Sequence, residues 1–185
     1  ITSLCMGITM GGSVLVAHYA GAHETRKIQN TIGNLLFLSI VTAVVITLIG
    51  LALSESVLSF MRLPKAAFPY AVGYVRIICL GTIFTFGYNS VCSILRGLGD
   101  SRSPLIFVAV ATIANIVLDV LFVGPLGWGV KGAALATIIS QRISVLIALH
   151  HLKRHDVFSH FSVNDFILNR SLCGMILKIG FPAAL

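Results

Sequence analysis

Apolar and polar positions sort on a long scale in this chain. Five apolar runs follow one another: Ile1 to Ala20, Thr31 to Leu53, Phe68 to Leu95, Pro104 to Val123 and Val130 to Leu152. A sixth opens at Cys173 and continues to Leu185. Each of the first five has about the twenty residues that a helix needs to cross ~30 Å of hydrocarbon. The runs are continuously apolar, whereas barrel strands alternate over segments of about ten residues, so they predict helices. The expected fold is an all-α polytopic membrane protein with about five transmembrane helices and the start of another. Because the chain begins and stops inside apolar runs, an internal stretch of a longer protein is expected.

Composition sharpens this reading. Hydrophobic residues make up 57% of the chain and charged residues only 10%, with a mean hydropathy of +0.98, against about 25% charged in soluble domains. The net charge of +7 is divided among short connectors. Those at Ala20 to Asn30, Arg96 to Ser103 and Lys153 to Arg170 carry Arg26, Lys27, Arg96, Arg102, Lys153, Arg154 and Arg170. The connectors of the opposite face carry only Arg62 and Lys65, with Lys131 just inside the next helix. The positive-inside rule puts the first set in the cytoplasm, in a multi-pass protein of the plasma (inner) membrane. Basic residues split in this way form no stripe for nucleic acid.

The connectors also suggest a division of the chain. Residues 1–152 read as one transmembrane lobe, 153–170 as a polar cytoplasmic linker and 171–185 as the start of a second lobe. Within the linker, Ser162-Val-Asn-Asp165 has the form of a capping box and predicts a surface helix. His150, His151, His155 and His160 lack metal-ligand spacing and a neighbouring Cys, so no metal site is expected there. Cys5, Cys79, Cys92 and Cys173 have no paired spacing and read as small core residues. Gly7 and Gly11 form a Gly-xxx-Gly packing face. Trp128, in the turn Val123-Gly-Pro-Leu-Gly-Trp-Gly129, reads as an interfacial anchor.

Polar residues inside the apolar runs carry the candidate chemistry. A carboxylate near mid-membrane costs roughly 2.5–3.5 kcal/mol on insertion scales, which makes Asp119 a functional candidate. Asn115, one turn earlier, points to the same helix face. At 1.5 Å per residue Thr137 on the next helix lies at a similar depth. Gly129, Ala133 and Thr137 recur every fourth residue as a small face, where the Thr137 hydroxyl can bond the Ala133 carbonyl or offer its oxygen to a cation. These hard oxygens suit Na+, and the carboxylate can carry H+ instead. Arg142 lies about 10 Å deeper and is a candidate for gating or substrate electrostatics. Arg76 is nearer the surface and is expected to snorkel. Phe84, Phe86, Phe107 and Phe122 are candidates for shaping an apolar cavity.

Three blocks, Tyr88-Asn-Ser-Val-Cys-Ser-Ile-Leu-Arg-Gly-Leu-Gly-Asp-Ser-Arg-Ser-Pro-Leu105, Gly129-Val-Lys-Gly-Ala-Ala-Leu-Ala-Thr-Ile-Ile-Ser-Gln141 and Ile176-Leu-Lys-Ile-Gly-Phe-Pro-Ala-Ala-Leu185, closely resemble the multidrug and toxic compound extrusion (MATE) family in order and spacing. The resemblance covers essentially the whole chain. It implies the second to sixth of twelve helices, and the entry to the seventh, of a cation-coupled antiporter that exports amphipathic, often cationic, compounds by alternating access. It further implies a cation site at Asn115, Asp119 and Thr137, with Asn89 in the same cavity. Where some members have another Asn, this chain has Cys92, which lowers the hydrogen-bonding capacity of that position. A first-helix Asp that completes the site in many members would lie upstream of Ile1.

The implied partners are small organic molecules, the coupling cation, lipid and the second lobe of the same chain. No cofactor beyond Na+ or H+ is implied. A lipid-linked oligosaccharide flippase of the wider superfamily is the alternative, but it would want several basic residues for pyrophosphate, and only Arg142 is deep. An intramembrane enzyme would need a nucleophile with a base at membrane depth. A bare scaffold would leave Asp119 without a purpose.

Overall fold

The computed structural model describes residues 2–61, 64, 67–154 and 169–184. They form six helices: α1 Thr2–Gly21, α2 Thr25–Phe60, α3 Phe68–Gly97, α4 Arg102–Val123, α5 Gly129–Arg154 and α6 Arg170–Ala184. The first five are long and apolar enough to cross a membrane. The expected surface helix, His155 and His160 lie outside the described residues, as does most of the expected 153–170 linker.

One helix differs from its apolar run. Thr31 to Leu53 was expected to span the membrane, but α2 runs from Thr25 to Phe60, about 54 Å at 1.5 Å per residue. Once a helix is nucleated inside the bilayer, each further residue adds a hydrogen bond at little cost, so polar flanks extend it. Arg26 and Lys27 therefore sit on the first turn of α2, where Lys27 pairs with Glu24 at 2.6 Å. Arg76 of α3 meets Glu55 of α2 at 2.7 Å, with both side chains half exposed or more.

The core gathers around α3, which packs against α1, α2 and α5. Hydroxyl groups stitch these contacts. Ser90 Oγ donates to Ser39 Oγ at 2.7 Å, Thr47 to the Cys79 carbonyl at 2.9 Å, and Ser93 to the Thr9 carbonyl. Phe86, Ile32, Leu35, Ile94 and Val16 fill the space between. Cys5, Cys79 and Cys92 are free and buried among them, and the free Cys173 of α6 is half-buried.

The Gly-xxx-Gly face has an identifiable partner. A Cβ on Gly11 would overlap the Ile176 carbonyl, and one on Gly180 would overlap the Gly7 carbonyl. Here α1 and α6 touch backbone to backbone, an approach only glycine permits. Asn34 of α2 holds the start of α6, its Oδ1 accepting from the Asn169 N–H at 2.8 Å, while Asn169 Oδ1 accepts from Ser171 N–H at 3.0 Å.

At the α3–α4 turn, Asp100 Oδ1 accepts from the N–H groups of Arg102 at 3.1 Å and Ser103 at 3.0 Å. The Ser103 hydroxyl, these N–H groups and His151 hold the Asp100 carboxyl down at about 2. His151 Nε2 lies 3.0 Å from Ser103 Oγ and 3.4 Å from Asp100 Oδ2. A Ser–His–Asp relay uses the two ring nitrogens separately. Here both partners address the same nitrogen, so the cluster ties α5 to the turn and has no catalytic geometry.

Candidate cation and substrate site

Helices α4 and α5 run antiparallel through the tight turn at Gly124 to Trp128. Near the turn Gly132 faces Phe122, with only 3.0 Å between a Cβ built on the glycine and the Phe122 Cβ. Toward the far ends of the two helices Ser144 Oγ donates to the Phe107 carbonyl at 3.2 Å. Between these two fixed pairs the register places Thr137 level with Asn115 and Ala133 level with Asp119. The Thr137 hydroxyl donates to the Ala133 carbonyl at 3.0 Å.

Asn115 Nδ2 and Asp119 Oδ1 are buried and have no hydrogen-bond partner. Native proteins leave few buried polar atoms unpaired, and an unpaired carboxylate oxygen is among the costliest. Although one turn apart, the two orphans do not bond one another. Rotating the Asn115 amide exchanges its nitrogen for its oxygen. The local set is then carboxylate, amide, hydroxyl and carbonyl oxygen, which fits a hard monovalent cation or a proton on Asp119.

A cavity of about 240 Å³ opens on the side of this set away from the α4–α5 turn. Thr85, Tyr88 and Asn89 line it from α3, Thr112 from α4 beside Val108 and Ala111, and Gln141 and Ser144 from α5. Thr112, Asn115 and Asp119 share one face of α4 at helical spacing, and Ala133, Thr137, Gln141 and Ser144 do so on α5. A polar file thus descends from the orphaned carboxylate into the cavity. Sequence reasoning singled out neither Thr85 nor Thr112, and it met Gln141 only as the end of a family block. The signal that finds them is recurrence of polar residues every three or four positions in apolar helices.

Asn89 is on the cavity wall. Cys92 and Arg142, also expected there, are not. Cys92 shares a face of α3 with Tyr88 and Asn89, but it lies in the buried stretch 90–95 and is 2% exposed within the core cluster. Arg142 is exposed: one residue past Gln141, it is rotated by about 100° off the cavity face. The phenylalanines are not on the wall either. Phe86 and Phe107 are core residues, and Phe122 stacks on Trp128 with 5.0 Å between ring centroids. No basic residue lines the cavity among the described residues. The stripe of Gly129, Ala133 and Thr137 is half-buried beside the polar file, and it is Gly132, Ala134 and Ala136 that are buried.

The family model MatE matches residues 1–121. The chain belongs to the MatE family. It is 31% identical to the "Probable multidrug resistance protein YpnP" of Bacillus subtilis (strain 168) over the whole of this chain and 41% of that protein. It superposes on the inward-facing conformation of a multidrug resistance MATE family transporter of the MOP superfamily with a TM-score of 0.92 and 30% identity, covering 98% of this chain and 42% of that one. The outward-facing conformation of such a transporter gives a TM-score of 0.91 and 30% identity, over 99% and 41%. The chain therefore spans about two fifths of the length of the relatives it matches. The MatE family is a family of membrane transporters and not of enzymes, and five helices of this chain are long and apolar enough to cross a membrane.

Proposed function

We propose that the chain forms the N-terminal lobe of a plasma-membrane antiporter that couples cation entry, Na+ or H+, to export of amphipathic, often cationic, organic compounds. In this reading residues 1–152 are the lobe, 153–170 the cytoplasmic linker and 171–185 the entry to a second lobe that supplies the other half of the cavity. The observation that carries it is the pair of buried orphans, Asp119 Oδ1 and Asn115 Nδ2, at the head of a polar file leading into the cavity. The multidrug resistance relatives support the same reading. A cation at Asp119, held by Asn115, Thr137 and the Ala133 carbonyl, favours one arrangement of the lobes. The organic substrate favours the other, and this difference in affinity is what permits exchange. The neutral cavity wall offers no cation to a pyrophosphate, which supports drug export over lipid-linked sugar flipping.

The test is Asp119→Asn in the complete transporter. The variant keeps the size and one oxygen but loses the titratable charge. Dye efflux driven by a Na+ or H+ gradient is expected to fall to the level of transporter-free vesicles while membrane insertion is retained. Undiminished efflux would place the coupling carboxylate elsewhere.

A further inference from the structure

One residue, Thr85, holds both of the cavity's amides. The Thr85 hydroxyl donates to Gln141 Oε1 at 2.8 Å, crossing from α3 to α5. The Thr85 carbonyl accepts from Asn89 Nδ2 at 2.7 Å, one turn along α3. A carbonyl can only accept, so Asn89 must turn its nitrogen to Thr85 and its oxygen away. A hydroxyl can donate or accept; in the structure the Thr85 hydroxyl donates to the Gln141 oxygen, which turns the Gln141 NH2 away. Both residues line the cavity, and neither outward end has a partner among the described residues. Beside the Thr112 hydroxyl, which can donate or accept, the wall therefore offers one oriented donor, Gln141 Nε2, and one oriented acceptor, Asn89 Oδ1. The Tyr88 hydroxyl is spent on the Pro104 carbonyl at 3.3 Å, and the Ser144 hydroxyl on the Phe107 carbonyl.

We propose that Thr85 is a positioning residue that sets the polarity of this wall, and that the wall recognises the neutral N–H/C=O edge of a planar lactam or cis-amide. The ligand carbonyl accepts from Gln141, the ligand N–H donates to Asn89, and the ring lies along Val108 and Ala111. The inference rests on reading the cavity as a substrate site, and it adds that hydrogen-bond pattern is selected here, apart from the charge met at Asp119. The two amides are held differently: Gln141 by the Thr85 side chain, Asn89 by the Thr85 backbone. A substitution at Thr85 can release only the first.

Oxindole, indole and 1-methyloxindole separate the two bonds. Indole lacks the carbonyl, and 1-methyloxindole lacks the N–H. Binding is measured by ligand-observed NMR titration on the complete transporter in nanodiscs, with empty nanodiscs subtracted. A site built around a hydrogen bond discriminates against an analogue that leaves it unmade, so oxindole is expected to bind roughly tenfold tighter than either analogue. In Thr85→Val, which keeps the branched shape, the preference over indole should drop to within about twofold while the preference over 1-methyloxindole persists, since only the side-chain bond is lost. Thr85→Ser should restore the first preference. A variant that merely loosened the bundle would lose both together.

Equal binding of the three compounds by the wild type, no saturable binding of any, or an unchanged oxindole-over-indole ratio in Thr85→Val would each overturn the proposal. If Thr85→Val does not fold, Gln141→Leu, which removes the same donor, must abolish the preference over indole, and its persistence would refute the assignment. Gradient-driven ethidium efflux by the wild type tests the transport reading by itself. Its absence alongside an intact lactam preference would sink that reading and leave the binding site standing.

Discussion

The backbone contact between α1 and α6 gives a stability prediction with a sign on each side. In Gly180→Ala the added Cβ would overlap the carbonyl of Gly7 and crowd the Ile8 nitrogen. These are backbone atoms inside a helix, and no rotamer change relieves them. The helices must therefore separate by about 1 Å, a gap that already forfeits a quarter to a half of each contact's dispersion energy. The contacts at stake include fully buried Ile176 and nearly buried Ile8, Cys5 and Leu172. Overpacking of this kind costs roughly 1–3 kcal/mol, while the helix propensity of Ala over Gly returns about 1 kcal/mol. The net expectation is destabilisation by about 0–2 kcal/mol, centred near 1 kcal/mol. Gly174 is on the same helix, and a Cβ there meets nothing within 4 Å, so Gly174→Ala should gain up to about 1 kcal/mol from propensity alone. Thermal unfolding of both variants in one detergent, followed by circular dichroism, decides the matter. A Gly180→Ala protein more stable than wild type, or a Gly174→Ala protein less stable than Gly180→Ala, would refute the claim that α6 docks on α1 through glycine.

Two smaller predictions accompany it. The Asp100 carboxyl sits at about 2 in the fold, below the ~3.9 of an unfolded aspartate. Its stabilising contribution is therefore complete above about pH 4 and is lost as pH falls toward 2. Asp100→Asn should be less stable than wild type at neutral pH, and the gap should close across that window; acid titration of the two proteins checks it, and a gap constant down to pH 2 would be contrary. Glu55→Gln breaks the pair with Arg76, but half-exposed ion pairs contribute only about 0–1 kcal/mol, so its unfolding midpoint should scarcely move, and a large loss would mean the pair is shielded in the complete protein.

What could be read from the sequence follows from what physics makes local. Apolar run length fixed the number of helices, because hydrocarbon thickness leaves a spanning helix few alternatives. It did not fix the ends of α2, where polar residues from Thr25 to Asn30 read equally well as a loop. The Asn115/Asp119 pair stood out because a carboxylate in an apolar helix is rare. Thr85, Thr112 and Gln141 did not, because a single hydroxyl or amide in a membrane helix usually bonds its own backbone. Their joint meaning depends on α3, α4 and α5 meeting at one depth, a property of packing. Arg142 was misplaced because it is one residue past a cavity residue and a helix turns 100° per residue, so proximity along the chain says nothing of direction. Cys92 does share the face of Tyr88 and Asn89, but there α3 is already buried in the core. Asp100, Ser103 and His151 are scattered in sequence and adjacent in space, and only their distances show that one ring nitrogen serves both partners.

The proposed division of labour along the polar file has a mechanical consequence. Asp119 sits near the C-terminal end of α4, and the amides of Asn89 and Gln141 lie toward the other end of the file, so in the proposed antiporter ion and substrate need not compete for the same atoms. Exchange then depends on both sites biasing one shared element, and α4 is placed to be that element. It contributes Thr112 to the cavity and Asn115 and Asp119 to the ion site, yet only 6% of its apolar window is buried within the described structure. It leans mainly on α5 and touches α3 little. A helix with so few internal contacts can tilt at small energetic cost, and a tilt that brings Asp119 toward Thr137 necessarily changes the width of the cavity two turns below. Coupling in this lobe can thus arise from the position of one weakly packed helix, without any direct contact between the ion and the exported molecule.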